Sequence, residues 1–203
     1  MDHLFRRHVE KHDPAMFKII VDHPVLTLPT PRPAFEAIVR TVAGQQLSTK
    51  AAAKICSRLE MTLGGQISPQ SILEVDIAAL RVAGLSNAKA RTIISLAEFA
   101  GAQGEQLERL LMEPWDEVRT SLLSIKGVGP WSVDMFAMFG LGLTDVFSSG
   151  DLGLRTAMEK HLQIPRKQKP AVYDQRALLW SPYRTLASLH LWHSLKPSEE
   201  RFI

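Results

Sequence analysis

Apolar residues recur at helical spacing along most of the chain. The repeat i, i+3, i+4, i+7 places such residues on one face of an α-helix, because the helix turns once every 3.6 residues. Four stretches carry this repeat: Phe35, Ile38, Val39 and Val42; Ala52, Ile55, Cys56 and Leu59; Ile93, Leu96, Ala97 and Ala100; and Val133, Phe136, Ala137 and Gly140. No stretch shows the clean apolar–polar alternation of a half-buried strand. The pattern therefore predicts an all-α fold.

Short runs of proline and glycine interrupt the helical pattern at frequent intervals. Ser68 followed by Pro69 fits an N-cap with proline at the first helical position. None of these breaks has the composition of a linker between domains. We therefore expect about ten helices and a single domain over residues 1–203.

The composition predicts a compact protein but does not identify its binding partner. The chain has 203 residues, of which 45% are apolar, enough for a substantial core. Its 24 Lys and Arg residues against 21 Asp and Glu residues give a net charge of +3, which permits nucleic acid as a partner without demanding it. The single cysteine, Cys56, excludes a disulfide framework and predicts a reducing compartment.

The chain also lacks the apolar segments that export and membrane insertion need. The residues after Met1–His8 stay polar, so no secretory signal is predicted. The longest mainly apolar run, Met135–Thr144, is well short of the roughly 20 residues that cross a bilayer. We expect a soluble, intracellular protein.

Residues Leu122–Val133 read as a helix, a tight turn with two glycines, and a second helix. Gly127 and Gly129 allow positive φ and close approach of another backbone, and the amides that open the second helix stay unpaired. Together with the charge of Lys126, such amides could hold a DNA phosphate. The alternative is an ordinary helix–helix turn that uses glycine as a C-cap.

Asp151 follows this hairpin after the loop Thr144–Gly150 and precedes a helical segment. A hairpin of this form followed by a loop that ends in Gly-Asp resembles the helix-hairpin-helix DNA glycosylase superfamily, specifically its alkylpurine glycosylases. The segments Ala43–Ala52 and Tyr183–Trp192 add to the likeness. The sequence is most similar to fungal 3-methyladenine DNA glycosylases and bacterial 3-methyladenine DNA glycosylase II, from about Pro33 to Pro197.

The resemblance implies two helical lobes with duplex DNA, alkylated or abasic, across the cleft between them. By the resemblance, we expect no counterpart of the bacterial enzyme's N-terminal β domain. The residues Lys126, Gly127, Val128 and Gly129 would contact the DNA backbone, and no cofactor is implied beyond a possible monovalent Na⁺ or K⁺ ion on backbone carbonyls of the hairpin. Those carbonyls belong to Leu123, Ile125 and Val128. We expect a monomer with no membrane partner, nuclear in a eukaryote and cytoplasmic in a bacterium.

A glycosylase must extrude the damaged nucleotide, and a wedge side chain can fill the gap that it leaves. By the resemblance, Gln46 would be the inserted residue, with Leu47 beside it and Ser48 facing the minor groove. The loop that carries these residues, Gln45–Ser48, is called the wedge loop below. It can also be a polar turn in which Ser48 or Thr49 caps the next helix. Both interpretations can hold together.

Cleavage of the N-glycosidic bond builds positive charge on the sugar, so a fixed carboxylate nearby lowers the barrier. The resemblance assigns this role to Asp151. At a helix start its ionised form is favoured, which suits electrostatic stabilisation or orientation of water. The alternative for Asp151 is a simple helix cap. Asp134 is the competing carboxylate, but its spacing does not fit the family's catalytic position.

Alkylated purines are cationic, so aromatic faces can select them. By the resemblance, Trp131 and Trp192 line the base pocket, although each could equally pack in a core. Trp131 also stands where bifunctional members of the superfamily carry a Schiff-base lysine, which implies a monofunctional enzyme.

Several positions depart from the bacterial enzyme's pattern. Met135 and Leu152 stand where that enzyme has aromatic pocket residues, His193 replaces another, and Ser149 occupies the place of a common proline. These departures support a second hypothesis, a catalytically weak or inactive homologue that binds and distorts abasic or damaged DNA. A helical module for protein interaction is a third class, but it leaves the hairpin, the wedge loop and Asp151 unexplained. The basic loop of residues 164–170 is interpreted as a solvated surface loop, with phosphate contact or a nuclear signal as alternatives.

Overall fold

The computed structural model describes residues 1–196, and in this range the chain forms α-helices and no β-strand. The all-α prediction is confirmed, and Pro197, where the predicted resemblance ends, lies outside the described residues. The thirteen α-helices of this range are α1 (Asp2–His12), α2 (Pro14–Ile20), α3 (Ala34–Gly44), α4 (Thr49–Thr62), α5 (Pro69–Leu73), α6 (Ile77–Val82), α7 (Asn87–Ala100), α8 (Glu105–Leu110), α9 (Trp115–Leu123), α10 (Pro130–Met135), α11 (Leu152–His161), α12 (Pro170–Ala177) and α13 (Arg184–Ser194).

The expectation of about ten helices was too low. Helices α6 and α8 have only six residues each, which is too short for a helical repeat to show in the sequence. A π-helical turn, Phe136–Gly140, follows α10, and a short 3₁₀ turn, Leu178–Trp180, follows α12.

The chain divides into two compact units. The central unit, Pro31–Phe136, contains α3 to α10, and the terminal unit combines Met1–Thr30 with the described chain from Ala137 onward. That these units make up one domain stays a prediction. Within residues 1–196, every helix is too short or too polar to span a lipid bilayer.

The central unit is built around the helix faces that the sequence pattern indicates. Ile38, Val39 and Val42 of α3 are fully buried, and Ile93 and Ala97 of α7 are buried with them. Helices α4 and α7 both pack against α3, so α3 is the helix around which this unit packs. The predicted N-cap is confirmed, since Ser68 accepts a hydrogen bond from the amide of Ser71 and Pro69 opens α5.

The terminal unit has its own core, formed by residues from both ends of the chain. Its buried members are Phe5, Val9, Met16, Ile20, Phe147, Leu154, Ala157, Met158, Tyr173, Ala177, Trp180, Leu186, Ala187 and Leu191. Helices α11 and α13 pack together in this core. That contact places the start of α11 beside the last turns of α13, where the candidate catalytic residue lies.

Candidate functional site

The predicted hairpin is formed by α9, a turn and α10 in the central unit. Gly127 has φ +90°, and a Cβ atom built on it would lie 2.0 Å from Oγ1 of Thr92 on α7. Only glycine therefore fits this position. Gly129 has φ −103° and nothing within 4 Å of a built Cβ, so the expected positive φ is found at Gly127 and not at Gly129.

The turn presents backbone amides that the rest of the described chain does not use. The amides of Lys126, Gly127 and Gly129 have no acceptor among the described residues, and the side chain of Lys126 is exposed. Unused amides beside a cation form a surface that favours an anion.

The three carbonyls predicted to hold a cation differ in how they are used. The Ile125 carbonyl accepts a hydrogen bond from the Val128 amide at 3.0 Å. The carbonyls of Leu123 and Val128 accept none from residues 1–196. Because a carbonyl oxygen has two lone pairs, all three retain acceptor capacity. Oxygen ligands of this kind suit a hard monovalent cation, so the donor set fits the predicted ion.

The predicted wedge loop follows α3 in the same unit. Gln46 has φ +57° and is exposed, and Leu47 beside it is also exposed. Ser48 caps α4, since its Oγ accepts a hydrogen bond from the amide of Ala51 at 3.3 Å. The helix-cap interpretation of Ser48 is confirmed, and the exposed Gln46 and Leu47 are consistent with an inserted wedge.

Two side chains that the sequence analysis did not single out hold this loop. Nζ of Lys89, on α7, donates hydrogen bonds to the carbonyls of Ala43 and Gln45 at 2.8 and 2.7 Å. Nε2 of Gln45 donates to Oγ of Ser132 on α10 at 2.7 Å, which ties the loop to the hairpin. Burial lowers the pKa of Lys89. Nothing in the local pattern marks these residues, because their partners are distant in sequence.

We expect Lys89→Met to slow base extrusion without weakening binding to the DNA backbone. The variant keeps the apolar stem but leaves two carbonyls at the end of α3 without their donor, so the wedge loop loses its fixed position. Because small displacements of positioning groups cost large factors in rate, single-turnover base release should fall roughly 10-fold. Stopped-flow fluorescence of a 2-aminopurine beside the lesion would follow extrusion. Lys54→Met, at an exposed position of α4, is the matched control, and equal rates in both variants would contradict this role.

Asp151 is the N-cap of α11 in the terminal unit. Its Oδ1 accepts hydrogen bonds from the amide of Leu154 at 2.8 Å and from Nε1 of Trp192 at 2.9 Å. The loop before it is fixed as well, because Arg155 donates to the Ser149 carbonyl and Oγ of Ser149 donates to Asp174 at 3.0 Å. The carboxylate is thus a helix cap of fixed orientation, so the cap interpretation is confirmed and the catalytic role stays a prediction.

Besides its hydrogen bond to Asp151, the Trp192 indole packs against two further residues. Its indole lies 5.9 Å from the ring of Phe139, measured between centroids. A Cβ atom on Gly153 would lie only 3.0 Å from Cδ1 of Trp192, so the absence of a side chain at Gly153 makes room for the indole against the first turn of α11.

The other predicted pocket residues have different surroundings. Trp131 is half-buried on α10, and Met135 at the end of the same helix is buried. Leu152 is 78% exposed beside Asp151. His193 is buried in the terminal unit, where its ring packs edge-on against His23 at 4.7 Å.

Helix α13 also carries a buried histidine, His190, that contacts a carboxylate and a second histidine. Nε2 of His190 lies 2.9 Å from Oδ1 of Asp2, and its Nδ1 lies 3.2 Å from Nδ1 of His23. Burial lowers the pKa of His190 from 6.5 to about 4, against the opposing effect of Asp2.

Because the folded protein favours neutral His190, its contribution to stability is complete above pH about 6.5 and is lost as the pH falls toward 4. The free energy of unfolding should drop by about 3 kcal/mol across that range. His190→Gln keeps a donor for Asp2 but does not titrate. Urea unfolding at several pH values should show a smaller drop for this variant, whereas parallel pH curves would contradict the assignment.

No group of three or more His, Cys, Asp or Glu side chains is arranged to hold a metal ion within the described chain.

Comparison with known proteins agrees with these features. The model of the HhH-GPD superfamily of base excision DNA repair proteins matches residues 39–182. A DNA-3-methyladenine glycosylase from Schizosaccharomyces pombe is 32% identical over 169 residues, which cover 80% of this chain and 72% of the relative. A probable bifunctional transcriptional activator/DNA repair enzyme AlkA from Mycobacterium tuberculosis is 32% identical over 197 residues. That match covers 91% of this chain but only 38% of the relative's length.

A solved structure extends the likeness over nearly the whole chain. The S. pombe 3-methyladenine DNA glycosylase Mag1 in complex with abasic DNA superposes with a TM-score of 0.81 and 27% identity, covering 97% of this chain and 98% of that one. The family match includes the hairpin and Asp151. The chain belongs to the HhH-GPD superfamily of base excision DNA repair proteins.

Proposed function

We propose that the chain is a monofunctional DNA glycosylase that hydrolyses the N-glycosidic bond of alkylated purines in duplex DNA. The substrates are of the 3-methyladenine and 7-methylguanine type. The observation that carries this proposal is Asp151, a carboxylate oriented by the Leu154 amide and the Trp192 indole. The likeness to an S. pombe DNA-3-methyladenine glycosylase, and to the structure of S. pombe 3-methyladenine DNA glycosylase bound to abasic DNA, supports the same activity.

The hairpin holds the DNA by its backbone. The amides of Gly127 and Gly129 donate to a phosphate, Val128 shapes the turn between them, and Lys126 adds positive charge. Such contacts position the protein without reading sequence, as a repair enzyme that scans for damage requires. Gln46 and Leu47 then enter the stack as the nucleotide leaves it, with Ser48 at the minor groove. The unstacking costs a few kcal/mol, least for a damaged base.

The candidate base-binding side chains are aromatic or apolar in each unit. In the terminal unit, Trp192 offers a ring face to a cationic purine, and Leu152 and His193 are the other candidates. In the central unit, the candidates are Trp131 and Met135, and a base stacked on a tryptophan gains roughly 1–3 kcal/mol. Because Met135 and Leu152 lack rings, selection rests mainly on the two tryptophans.

Asp151 stabilises the positive charge that develops on the deoxyribose as the C1′–N bond breaks. The bonding electrons leave with the base, whose own positive charge they neutralise. A water molecule then adds to C1′ and gives up a proton, which leaves an abasic site. No lysine stands at the position of Trp131, so no Schiff base forms there and the strand stays intact.

The hairpin also suits a structural Na⁺ or K⁺ ion on the carbonyls of Leu123, Ile125 and Val128. Such an ion would hold the turn in shape and add positive charge near the phosphate. No step of the hydrolysis passes through it.

The protein acts as a monomer on duplex DNA with alkylated bases or abasic sites. It works where the chromosomal DNA is located, which is the nucleus in a eukaryotic cell and the cytoplasm in a bacterium.

The proposal is tested by base release from methylated duplex DNA with the protein in excess. We expect free 3-methyladenine and 7-methylguanine by chromatography, and no cut strand before alkali treatment. The alternative, a homologue that binds damage without turnover, is favoured by the 78% exposure of Leu152 beside Asp151. Tight binding to abasic DNA by folded protein with no base release would support that alternative.

A further inference from the structure

A basic groove runs along α11 in the terminal unit, on the same helix that Asp151 caps. The groove has a volume of about 520 Å³. It begins at the exposed Leu152 and is lined by Arg155, Glu159 and Lys160 of α11. Arg166 and Lys167, from the loop that follows the helix, complete it.

The charge of the groove is strongly one-sided. Four lining side chains are cationic and one is a carboxylate, in a chain whose net charge is only +3. The side chains of Lys160, Arg166 and Lys167 are exposed and form no ion pair with the described residues. Glu159 interacts electrostatically with Arg155 and Arg166, which leaves a net excess of positive charge in the groove for an anionic partner.

The loop that carries Arg166 and Lys167 is fixed in place. Oε1 of Glu159 accepts hydrogen bonds from the Lys167 amide at 3.1 Å and from the hydroxyl of Tyr173 at 2.6 Å. The guanidinium of Arg155 lies 5.3 Å from the centre of the Tyr173 ring. The single carboxylate of the groove therefore holds the basic loop against α11, and less ordering is needed when a ligand binds.

The cations follow the helix away from the candidate reactive carboxylate. Arg155 lies in the first turn after Asp151, Lys160 in the last turn, and Arg166 and Lys167 beyond it. A ten-residue helix rises about 15 Å, and one DNA strand carries one phosphate per roughly 3.4 Å of axis. The groove is thus long enough to follow several phosphates of a single strand.

We propose that this groove binds the sugar-phosphate backbone of DNA beside the extruded nucleotide, as a second backbone contact besides the hairpin. The inference rests on the proposed function. Four cationic side chains against one carboxylate suit phosphates, whereas Leu152 and the ring of Tyr173 are the only large apolar groups that the groove offers to a protein partner. The contact adds affinity that does not depend on base sequence.

The test is the salt dependence of binding to a duplex with one tetrahydrofuran abasic analogue, measured by fluorescence anisotropy. Arg166→Ala/Lys167→Ala removes two cations but keeps the Lys167 amide that Glu159 holds. Each lost phosphate contact lowers the slope of log K against log salt by about 0.9, so the slope should flatten by about 2 and binding at 50 mM salt should weaken roughly 10- to 100-fold.

The matched control is Lys11→Ala/Lys18→Ala, which removes two exposed cations from α1 and α2 of the same unit. Its slope should equal that of the parent. A double variant in the groove with the parental slope would overturn the inference, even if the parent releases methylated bases normally. A parent protein that neither releases bases nor binds abasic DNA would overturn the proposed function and this inference together.

Discussion

Asp151→Asn should lose base release by about 10²- to 10³-fold, the effect of removing one preorganised electrostatic partner of a transition state. The substitution removes the negative charge and leaves the geometry. Asn is as good an N-cap as Asp, and its oxygen can still accept from the Leu154 amide and the Trp192 indole. The measurement is the single-turnover rate of base release from methylated duplex DNA.

The matched control is Asp76→Asn, because Asp76 is also an N-cap and accepts from the Ala79 amide at 2.8 Å. This variant should release bases at the parental rate. Binding to abasic DNA should survive in Asp151→Asn, since the hairpin is unchanged. If Asp151→Asn kept the parental rate, Asp151 would be a helix cap without a role in catalysis.

Gly127→Ala should destabilise the protein by about 2–4 kcal/mol and abolish binding through the hairpin. Two costs add: strain of a non-glycine residue at φ +90°, and the overlap of the new methyl group with Thr92 Oγ1. For a chain of this size the melting temperature should fall by roughly 5–15 °C. Thermal unfolding and binding to abasic DNA would be measured together.

Substitutions at two other glycines distinguish the backbone strain from the overlap with Thr92. Gly64 has φ +75° with open space around a built Cβ, so Gly64→Ala should show only the backbone strain, about 1 kcal/mol. Gly129 has open space and an ordinary φ, so Gly129→Ala should keep the melting temperature yet weaken DNA binding, because its methyl group stands where a phosphate would approach. Equal melting temperatures for Gly127→Ala and Gly64→Ala would contradict the close contact with Thr92.

Features of the fold that depend on local sequence were predictable. The buried faces of α3 and α7 follow from the 3.6-residue repeat, and Ser48, Ser68 and Asp151 cap helices because short polar side chains accept from exposed amides. The glycine turn at Gly127 follows from the same local chemistry. The resemblance to a known family supplied the candidate roles, which the local pattern does not contain.

Features that depend on the folded chain could not be predicted. Lys89 reaches the carbonyls of Ala43 and Gln45 across more than forty residues, and Trp192 reaches Asp151 across a similar separation. No periodicity encodes such pairs. The ordinary φ of Gly129 was also missed, since glycine in a sequence indicates freedom but not the conformation that is used.

We propose that this chain breaks the N-glycosidic bond of an alkylated purine and leaves the DNA strand whole. The most direct test is a time course with a homogeneous duplex that carries one 7-methylguanine, with the protein in excess and with free base and strand length followed together. We expect release of 7-methylguanine at the rate at which alkali-labile sites form, with no strand cut before alkali and no adduct trapped by borohydride. Persistence of 7-methylguanine in DNA that the folded protein has bound would contradict it.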